Sequence, residues 1–479
     1  MFLRSRSRLK QRCLALGLAV LAAMAGSSAV IRPAVAETLA SALERAYRAN
    51  PKLEAERARL RATDEEIARA NSGYRPTIGA AADAGRERSS TKPSSGGDGT
   101  GSPRGYSVTA TQPIFDGFRT RAQVGEAEAT VRAGRETLRS VEADILLSAV
   151  TAYCDVLRDQ SIVRLRENNV AVLARDLRAS RDRFAAGELR RTDVAQSEAR
   201  HAGALSALDL ARANLRSSRA RYEQTVGAPP GALAQPAIPR KLVPPSLDEA
   251  LAIAARESPS VISAQYREQA ARHTIDRVRG ELLPSVSVRA DYSQRFDDDR
   301  SVEEREQMSV QGRVTVPIYE GGEVRARVRQ SKHTHVSRLQ EIQQAHGDTQ
   351  AAVVAAWSRM QAAASQLESD LAQVEANRTA LTGVREEQRV GQRTVLDVLN
   401  AEQELLASEV TLASTRRDLV VVTYQVLALI GRLNVSELGI GSLAYDPARH
   451  TDEVRRKWFG LSITHGDGRR ESLDAKVSR

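Results

Sequence analysis

The segment Pro113-Ile114-Phe115-Asp116-Gly117 returns 204 residues later as Pro317-Ile318-Tyr319-Glu320-Gly321. Other positions follow the same spacing or, nearer each start, a spacing of 208: Gly187 and Gly391, Asp193 and Asp397, Gly227 and Gly431, Leu39 and Leu247, Pro51 and Pro259, and Pro76 and Pro284. A unit of roughly 190 residues is far longer than a solenoid repeat, whose period is about 20 to 50 residues. The sequence therefore predicts two related halves of one body.

The first 36 residues have the features of an export signal. Basic residues from Arg4 to Arg12 precede the apolar run Leu14–Ala25, and Ala34-Val35-Ala36 forms a cleavage site before Glu37. The apolar run is shorter than the roughly 20 residues that a membrane-spanning helix needs. No later segment of the sequence reaches that length. We therefore expect an exported chain without a helical membrane span.

Composition and motifs argue against nucleic-acid binding and against catalysis. The signal holds six of the 70 basic residues and no acidic residue, so the mature chain has 64 basic and 60 acidic residues. A nucleic-acid-binding chain would carry a basic stripe with interleaved aromatic residues. The seven histidines are scattered, and HExxH, GxSxG and P-loop motifs are absent from the sequence. We expect no catalytic residue, no cofactor, no metal site and no nucleic-acid partner.

Each half has one long segment that is free of proline and favours helix. The two segments lie between Pro113 and Pro229 and between Pro317 and Pro447, and they are rich in Ala, Leu, Arg, Glu and Gln. Apolar residues recur at spacings of three and four, which is typical of a coiled-coil seam. Gly187 and Gly391 lie at matching places in the two segments, each followed by Thr and Asp residues suited to helix entry, and we predict that the helix reverses there.

These boundaries give the helices definite lengths. The long helices are predicted at Phe118–Phe184 and Val324–Val390, 67 residues each, which corresponds to about 100 Å. The returning helix Asp193–Val226 has only about half that length. We expect Leu53–Tyr74 to supply the other half by stacking end to end with it.

Alternation of apolar and polar residues predicts strands between the short and the long helices. The alternating apolar residues are Val286, Val288, Ala290, Tyr292, Met308, Val310, Val314 and Val316, with a weaker match at Ile78, Ala80, Ala82, Tyr106, Val108 and Ala110. The polar segments Arg88–Pro103 and Gln294–Arg300 are predicted to be exposed hairpin loops. Aromatic residues gather near the strand ends, as in the girdles of membrane barrels.

Four strands with one apolar and one polar face suit the wall between lipid and a wet lumen, but four strands cannot close. An open edge in hydrocarbon leaves backbone groups unsatisfied at several kcal/mol each, so strands from several copies must be pooled. Three copies would supply twelve strands. We therefore predict an α+β membrane protein, a homotrimer that contacts outer membrane lipid. The alternative is a soluble periplasmic coiled-coil adaptor or structural rod.

Four segments carry a family resemblance: QPIFDGF at 112–118, VPIYEGG at 316–322, RFAAGELRRTDV at 183–194 and RVGQRTVLDVLNAEQ at 389–403. Over about Thr38–Asn434 the chain resembles the TolC-type outer membrane channels of Gram-negative bacteria. The resemblance implies a homotrimer with a 12-stranded outer-membrane β-barrel, four strands per chain, continued by a long periplasmic α-helical barrel. It also implies an exit duct for drugs or unfolded proteins that works with a periplasmic adaptor and an inner-membrane pump, either proton-driven or an ABC transporter.

The same resemblance implies roles for residues around the two glycine turns. Asp397 would form a ring of acidic residues at the periplasmic entrance constriction, and Asn400 occupies the position of a second acidic ring. Asp193 and Arg393 would form an entrance lock, an ion pair that holds the resting channel closed. Candidates for adaptor docking are the turn residues Arg183, Phe184, Gly187, Arg389 and Gly391. Asp397 also suits a helix first turn, and the turn residues also suit simple turn formation.

The predicted organisation of the chain has five parts. Residues 1–36 are the signal peptide, 37–230 the first structural repeat, 231–245 a Pro-rich linker, 246–434 the second repeat, and 435–479 a polar C-terminal periplasmic extension. The last part shows no periodicity, and we expect it to be mobile.

Overall fold

A computed structural model gives the structure of residues 36–89, 99–239, 241–299, 302–440, 444–465 and 469–471. Residues 1–35 of the predicted signal peptide lie outside this part of the chain. The first half contains α1 (Leu39–Ala49), α2 (Pro51–Asn71), β1 (Thr77–Ala84), β2 (Glu87–Ser89), β3 (Gly99–Gly101), β4 (Arg104–Phe115), α3 (Arg119–Ala185) and α4 (Arg191–Val226). The second half contains α5 (Leu247–Glu257), α6 (Pro259–Gly280), β5 (Ser285–Asp299), β6 (Val302–Thr315), α7 (Glu323–Arg389) and α8 (Val395–Leu429). Apart from the short strands β2 and β3 of the first half, the two halves share one order of elements.

The long helices α3 and α7 each contain 67 residues and agree with the predicted boundaries to within one residue. Both end in the same way, with a left-handed glycine, Gly187 at φ +81° and Gly391 at φ +80°. In each turn the N–H three residues past the last helical residue bonds back to the helix: Glu188 donates to Arg183 O at 2.9 Å, and Gln392 donates to Glu387 O at 2.9 Å. This hydrogen-bond pattern ends a helix and satisfies its last carbonyl groups.

The repeated PIFDG and PIYEG segments form the turns from strand to long helix. In the first turn Gly117 and Phe118 both have positive φ, and a Cβ on Gly117 would lie 2.3 Å from the carbonyl oxygen of Gly280. Asp116 then caps the helix, because its Oδ2 accepts from the Thr120 N–H at 2.7 Å. In the second turn Gly321 and Gly322 occupy the left-handed region. The segment thus reverses the backbone where the sheet ends and the helices begin.

The predicted end-to-end arrangement of short and returning helices is confirmed. At the junction of α4 with α2, the Asn50 amide donates to Thr225 O at 3.1 Å, and its own Oδ1 caps α2 by accepting from the Lys52 N–H at 3.0 Å. One asparagine therefore joins the end of one helix to the start of the next.

The four main strands form one antiparallel sheet in the order β1-β4-β5-β6. The pairing of β4 with β5 joins the two halves, with Ala110 opposite Ala290 and Val108 opposite Tyr292. The hairpin of β5 and β6 is longer than predicted. Phe296 pairs with Glu304 inside the segment expected to be a loop, so the loop prediction is wrong for residues 294–299. Backbone pairing continues there because the ladder does not depend on the polarity of the side chains.

The register assigns the side chains of this sheet to two faces. Residues that stand opposite each other in the ladder point to the same side. One side carries Ile78, Ala80, Ala82, Tyr106, Val108, Ala110, Val288, Ala290, Tyr292, Met308, Val310 and Val314, and the other carries Ser107, Thr109, Thr111, Arg289, Asp291, Ser293, Ser309, Gln311 and Arg313. The predicted separation into an apolar and a polar face is confirmed.

The largest hydrophobic core lies midway along the long helices. Tyr153 of α3, Tyr222 of α4 and Leu427 of α8 are buried there together with residues of α1 and α5. The linker 231–245 packs on this core rather than running free. Leu233 pairs with Glu37 in a parallel bridge, and the Tyr153 hydroxyl lies 2.6 Å from Ala234 O.

The extension at 435–479 is partly folded, so the expectation of a mobile tail is wrong for its central part. Helix α9 (Pro447–Arg456) packs along α2, and the short strands β7 (Ile463–Thr464) and β8 (Arg470–Glu471) follow it. Polar contacts hold α9: Thr451 donates to the buried Asp64 at 2.9 Å. This helix was not predictable from the sequence, because its ten residues bury only Thr451 and Val454, too few for a visible period.

Within the part of the chain that the structure describes, no helix has an apolar stretch long enough to cross a bilayer.

The left-handed turns generate a prediction about stability. Substitution Gly391→Ala should cost about 1 to 2 kcal/mol, because a Cβ is strained at positive φ. The control Gly383→Ala lies inside α7, where a Cβ would meet nothing within 4 Å, and it should be neutral or stabilising by up to about 1 kcal/mol. Denaturation midpoints of the two variants would measure the difference, and equal midpoints would contradict the role of the turn.

Candidate functional site

The two helix reversals lie at the end of the molecule opposite the sheet, and we call the region of residues 170–204 and 381–403 the reversal end. Helices α3, α4 and α8 pack together there through the buried Leu173, Ala204 and Leu399. A buried contact between the Ser180 and Ser197 hydroxyls at 3.3 Å adds a polar link within the first hairpin. Small and apolar side chains thus bring the first hairpin against the second.

Arg200 joins the two returning helices at the reversal end. Its Nη2 donates to Asn400 Oδ1 at 3.1 Å, and its Nη1 contacts Gln403 Oε1. Asn400 is therefore engaged by a guanidinium from the other half of the chain. Sequence reasoning did not find this bridge, because it depends on how α4 and α8 are turned toward each other.

Asp397 lies in the first turn of α8 and completes a capping box. Its Oδ2 accepts from the Thr394 N–H at 2.9 Å, and its own N–H donates to Thr394 Oγ1 at 3.2 Å. The hydrogen bond from the Thr394 backbone, followed by that from the Thr394 hydroxyl and by the charge of Arg393, lowers the pKa of Asp397. The carboxylate is thus held in its charged form at neutral pH and remains partly exposed.

The two lock candidates each have a partner in their own turn. Asp193 Oδ2 accepts from the Arg190 N–H at 3.1 Å, and Arg393 Nε donates to Glu387 Oε2 at 2.8 Å. Among the described residues of this single chain, Asp193 and Arg393 form no ion pair with each other. Glu387 is a charged partner that sequence reasoning missed.

A charged cluster lies beneath these turns, formed by the buried Glu402 of α8, the exposed Arg385 of α7 and the half-buried Asp176 of α3. Arg385 Nη2 donates to Glu402 Oε1 at 2.6 Å, whereas Glu402 Oε2 and Asp176 Oδ2 are buried without a hydrogen-bond partner among the described residues. Burial raises the pKa of Glu402 despite its bond to Arg385, and burial likewise raises the pKa of Asp176. The sequence contains an indication of this cluster, because the acidic Glu402 interrupts the apolar spacing between Leu399 and Leu406.

The turn residues face solvent. Arg183, Phe184 and Arg389 are exposed, and a Cβ on Gly187 or Gly391 would meet nothing within 4 Å. Arg389 pairs only with Glu386 of its own helix, at 3.1 Å. The two turns therefore present cationic and apolar side chains at an open surface.

The sheet at one end, the paired long helices and the open turns at the other end match a known family. The family model described as "Outer membrane efflux protein" matches residues 42–228 and 250–432. The chain belongs to this family. The chain is accordingly located in the outer membrane, with its helices extending into the periplasm. Members of the family are TolC-type channels and not enzymes.

Relatives of this family match the chain over most of its length. It is 36% identical over 445 residues to the outer membrane efflux protein BepC of Brucella suis, which covers 92% of this chain and 96% of BepC. It is 24% identical over 426 residues to the outer membrane protein TolC of Escherichia coli, covering 84% of each. The crystal structure of the CmeC outer membrane channel of Campylobacter jejuni superposes with a TM-score of 0.74 at 14% identity, covering 87% of this chain and 89% of CmeC.

The cluster around Glu402 generates a prediction about pH. Because the folded-state pKa of Glu402 is raised, the folded protein binds this proton more tightly than the unfolded chain does. Stability from this group is therefore complete below the ordinary value of 4.5 and falls as pH rises through the folded pKa. Glu402→Gln should flatten the dependence of the thermal midpoint on pH above 4.5.

The exposed neighbour Glu404 provides the control, since Glu404→Gln removes a carboxylate of the same type without touching the cluster. Melting curves at a series of pH values would report the slopes for both variants. A slope that Glu402→Gln leaves at the wild-type value would show that this carboxyl does not titrate with folding.

Proposed function

We propose that the protein is the outer membrane exit duct of a tripartite efflux pump. The observation that carries the proposal is the apolar face of the sheet, which none of the described residues covers. All eight residues of β1 are exposed, and Ile78, Met308 and Val310 are 73%, 78% and 66% exposed. Large apolar side chains in such a continuous patch mark contact with lipid or with another protein. The opposite, polar face suits a wet lumen.

The edges of the sheet favour assembly. In the described part of the chain, β1 and β6 each have a strand on one side only. Unpaired backbone groups in hydrocarbon cost several kcal/mol each, so a membrane-spanning sheet of this kind must close. Three copies would join β6 of one to β1 of the next and give a 12-stranded barrel from four strands per chain. The homotrimer predicted from the sequence remains the simplest closed assembly.

The helices would continue this barrel into the periplasm. Helices α3 and α7 leave the sheet at the Gly117 and Gly321 turns, and 67 residues carry the reversal end about 100 Å away. Substrate would enter there, past Asp397 and Asn400, and leave through the barrel. The Asn400 amide is uncharged and accepts a hydrogen bond from Arg200. A single ring of Asp397 carboxylates would therefore supply the negative charge of the constriction.

The partners follow from this geometry. The exposed turns with Arg183, Phe184, Gly187, Arg389 and Gly391 are the surface that we assign to docking of a periplasmic adaptor, which an inner-membrane pump would accompany. The relative with 36% identity is named an efflux protein, and we therefore favour drug-like cargo over secreted proteins. A proton-driven pump and an ABC transporter both remain compatible with the turns.

The alternative of a soluble periplasmic rod or adaptor is disfavoured. A water-soluble protein rarely exposes a continuous apolar patch on the scale of four strands. Membership of an outer membrane family points the same way.

Docking at the turns can be tested in native membranes. A photo-crosslinking amino acid at position 183 or 389 should link the protein to the same periplasmic adaptor, and the pump should copurify. Position 219 provides the control: Arg219 is exposed on α4 about 40 Å from the reversal. The protein should migrate as a heat-resistant trimer. A monomer in the soluble fraction, or equal crosslinking from all three positions, would reject the duct.

The entrance lock predicts a gain in conductance. If Asp193 and Arg393 hold the resting channel closed across neighbouring helices, Asp193→Ala and Arg393→Ala should each raise single-channel conductance in planar bilayers. The change should be modest, because exposed ion pairs contribute about 0 to 1 kcal/mol. Arg181→Ala breaks an exposed pair with Glu198 within one hairpin and is the control. Wild-type conductance in both lock variants would exclude the lock.

The same bilayers report the charge of the constriction. Asp397→Asn keeps an acceptor for the Thr394 cap but removes the charge, so cation preference in a salt gradient should fall. Asn400→Asp adds a second ring of carboxylates and should raise the cation preference. An unchanged reversal potential in Asp397→Asn would leave Asp397 with its capping role alone.

A further inference from the structure

Past helix α9 the chain exposes a run of apolar side chains that the described residues leave largely uncovered. Trp458, Phe459, Leu461 and Ile463 are 60%, 89%, 77% and 55% exposed. We call Trp458–Ile463 the C-terminal apolar segment. Side chains of this size are seldom left in water together, because burying them is favourable by the area that they remove from solvent.

The segment lies at the level where the strands begin. Arg75 Nη1 donates to Lys457 O at 3.1 Å, and the guanidinium carbon of Arg75 lies 4.5 Å from the centre of the Trp458 ring. Arg75 is two residues from Thr77, the first residue of β1. Two further exposed aromatic residues, Tyr74 and Phe118, flank the same junction of sheet and helices.

Helix α9 fixes the segment in this place. The side chain of Asp64 on α2 is fully buried and accepts from Thr451 at 2.9 Å, while His450 Nδ1 lies 3.0 Å from its other oxygen. Closer to the segment, Arg455 pairs with Glu128 of α3 at 2.7 Å. The described part of the tail thus runs along α2 and brings Trp458 close to the start of the strands.

The residues directly before the segment are cationic, and one of them, Arg455, is paired with Glu128 of α3. Arg455, Arg456 and Lys457 directly precede Trp458. Aromatic rings preceded by basic side chains are typical of segments that lie in the interface of a bilayer, with rings at the headgroup level and cations near lipid phosphates.

We propose that the C-terminal apolar segment inserts into the periplasm-facing phospholipid leaflet of the outer membrane and anchors the chain there, beside the barrel. The proposal rests on the orientation in the proposed function, in which the strands cross this membrane. Two features favour phospholipid as the partner. The segment lies at the level where the apolar face of the sheet ends, and its flanking cations match anionic headgroups. Covering by a second copy of the chain is the competing outcome.

Tryptophan fluorescence can test the contact, because the chain has two tryptophans and Trp357 is buried in the central core. In the Trp357→Phe protein, Trp458 is the only reporter. Reconstituted into vesicles of phosphatidylethanolamine and phosphatidylglycerol with bromine near the ester end of the acyl chains, Trp458 should lose most of its emission. The matched Trp458→Phe protein, which reports Trp357, should keep its emission.

A second variant tests the insertion itself. Phe459→Ser with Leu461→Ser, added to Trp357→Phe, alters side chains that are largely exposed in the chain, and it should reduce the quenching of Trp458 several-fold. Two results would overturn the proposal. Quenching by iodide would place Trp458 in water, and quenching by neither iodide nor bromolipid would show that protein covers it.

Conductance of the same vesicles fused to planar bilayers separates the two proposals. Conductance without bromolipid quenching rejects the anchor and keeps the duct. Quenching without conductance keeps the anchor and rejects the duct.

Discussion

The hydrogen-bonding demand of backbone groups at the edges of the sheet is the constraint on which the rest of this structure depends. One chain provides four strands, and the two outer ones, β1 and β6, each have one paired side in the described structure. In water such edges are tolerable, but in hydrocarbon they are not. Apolar Ile78 and Val314 on the outer strands also have no cover within the chain. A sheet of this kind is stable in a membrane only as part of a closed assembly, and in the trimer that we propose the helices that leave it would be arranged around the same axis.

Much of this architecture follows from local sequence because its boundaries have local causes. The ends of α3 and α7 were predictable to one residue, since only glycine readily adopts the positive φ at positions 187 and 391. The strands were predictable from their period of two. Two features were not: the strand pairing at Phe296, which backbone hydrogen bonds maintain among polar side chains, and α9, which a buried Asp64 holds more than any apolar face.

The candidate site was less predictable than the fold. The capping role of Asp397 follows from its place three residues after Thr394, and a reader of the sequence can find it. The bridge from Arg200 to Asn400 and the meeting of Asp176, Arg385 and Glu402 involve residues from different helices. Their contacts depend on the rotation of each helix about its axis. Sequence periodicity identifies the buried stripe of a helix but not which stripe of a neighbour it meets.

The position of the central core has a mechanical consequence. The largest cluster, with Tyr153 on α3, lies midway along the long helices, and smaller clusters hold the helices together beyond it: Val163, Leu208 and Ala211, and nearer the turns Leu173, Ala204 and Leu399. The part of α3 from Tyr153 to Ala185 is about 48 Å long. A tilt of about one tenth of a radian at the core would therefore displace the turns by about 5 Å, without breaking a helical hydrogen bond, by the geometry of a rigid helix. A small movement of a hairpin in the core therefore becomes a larger displacement at its turn.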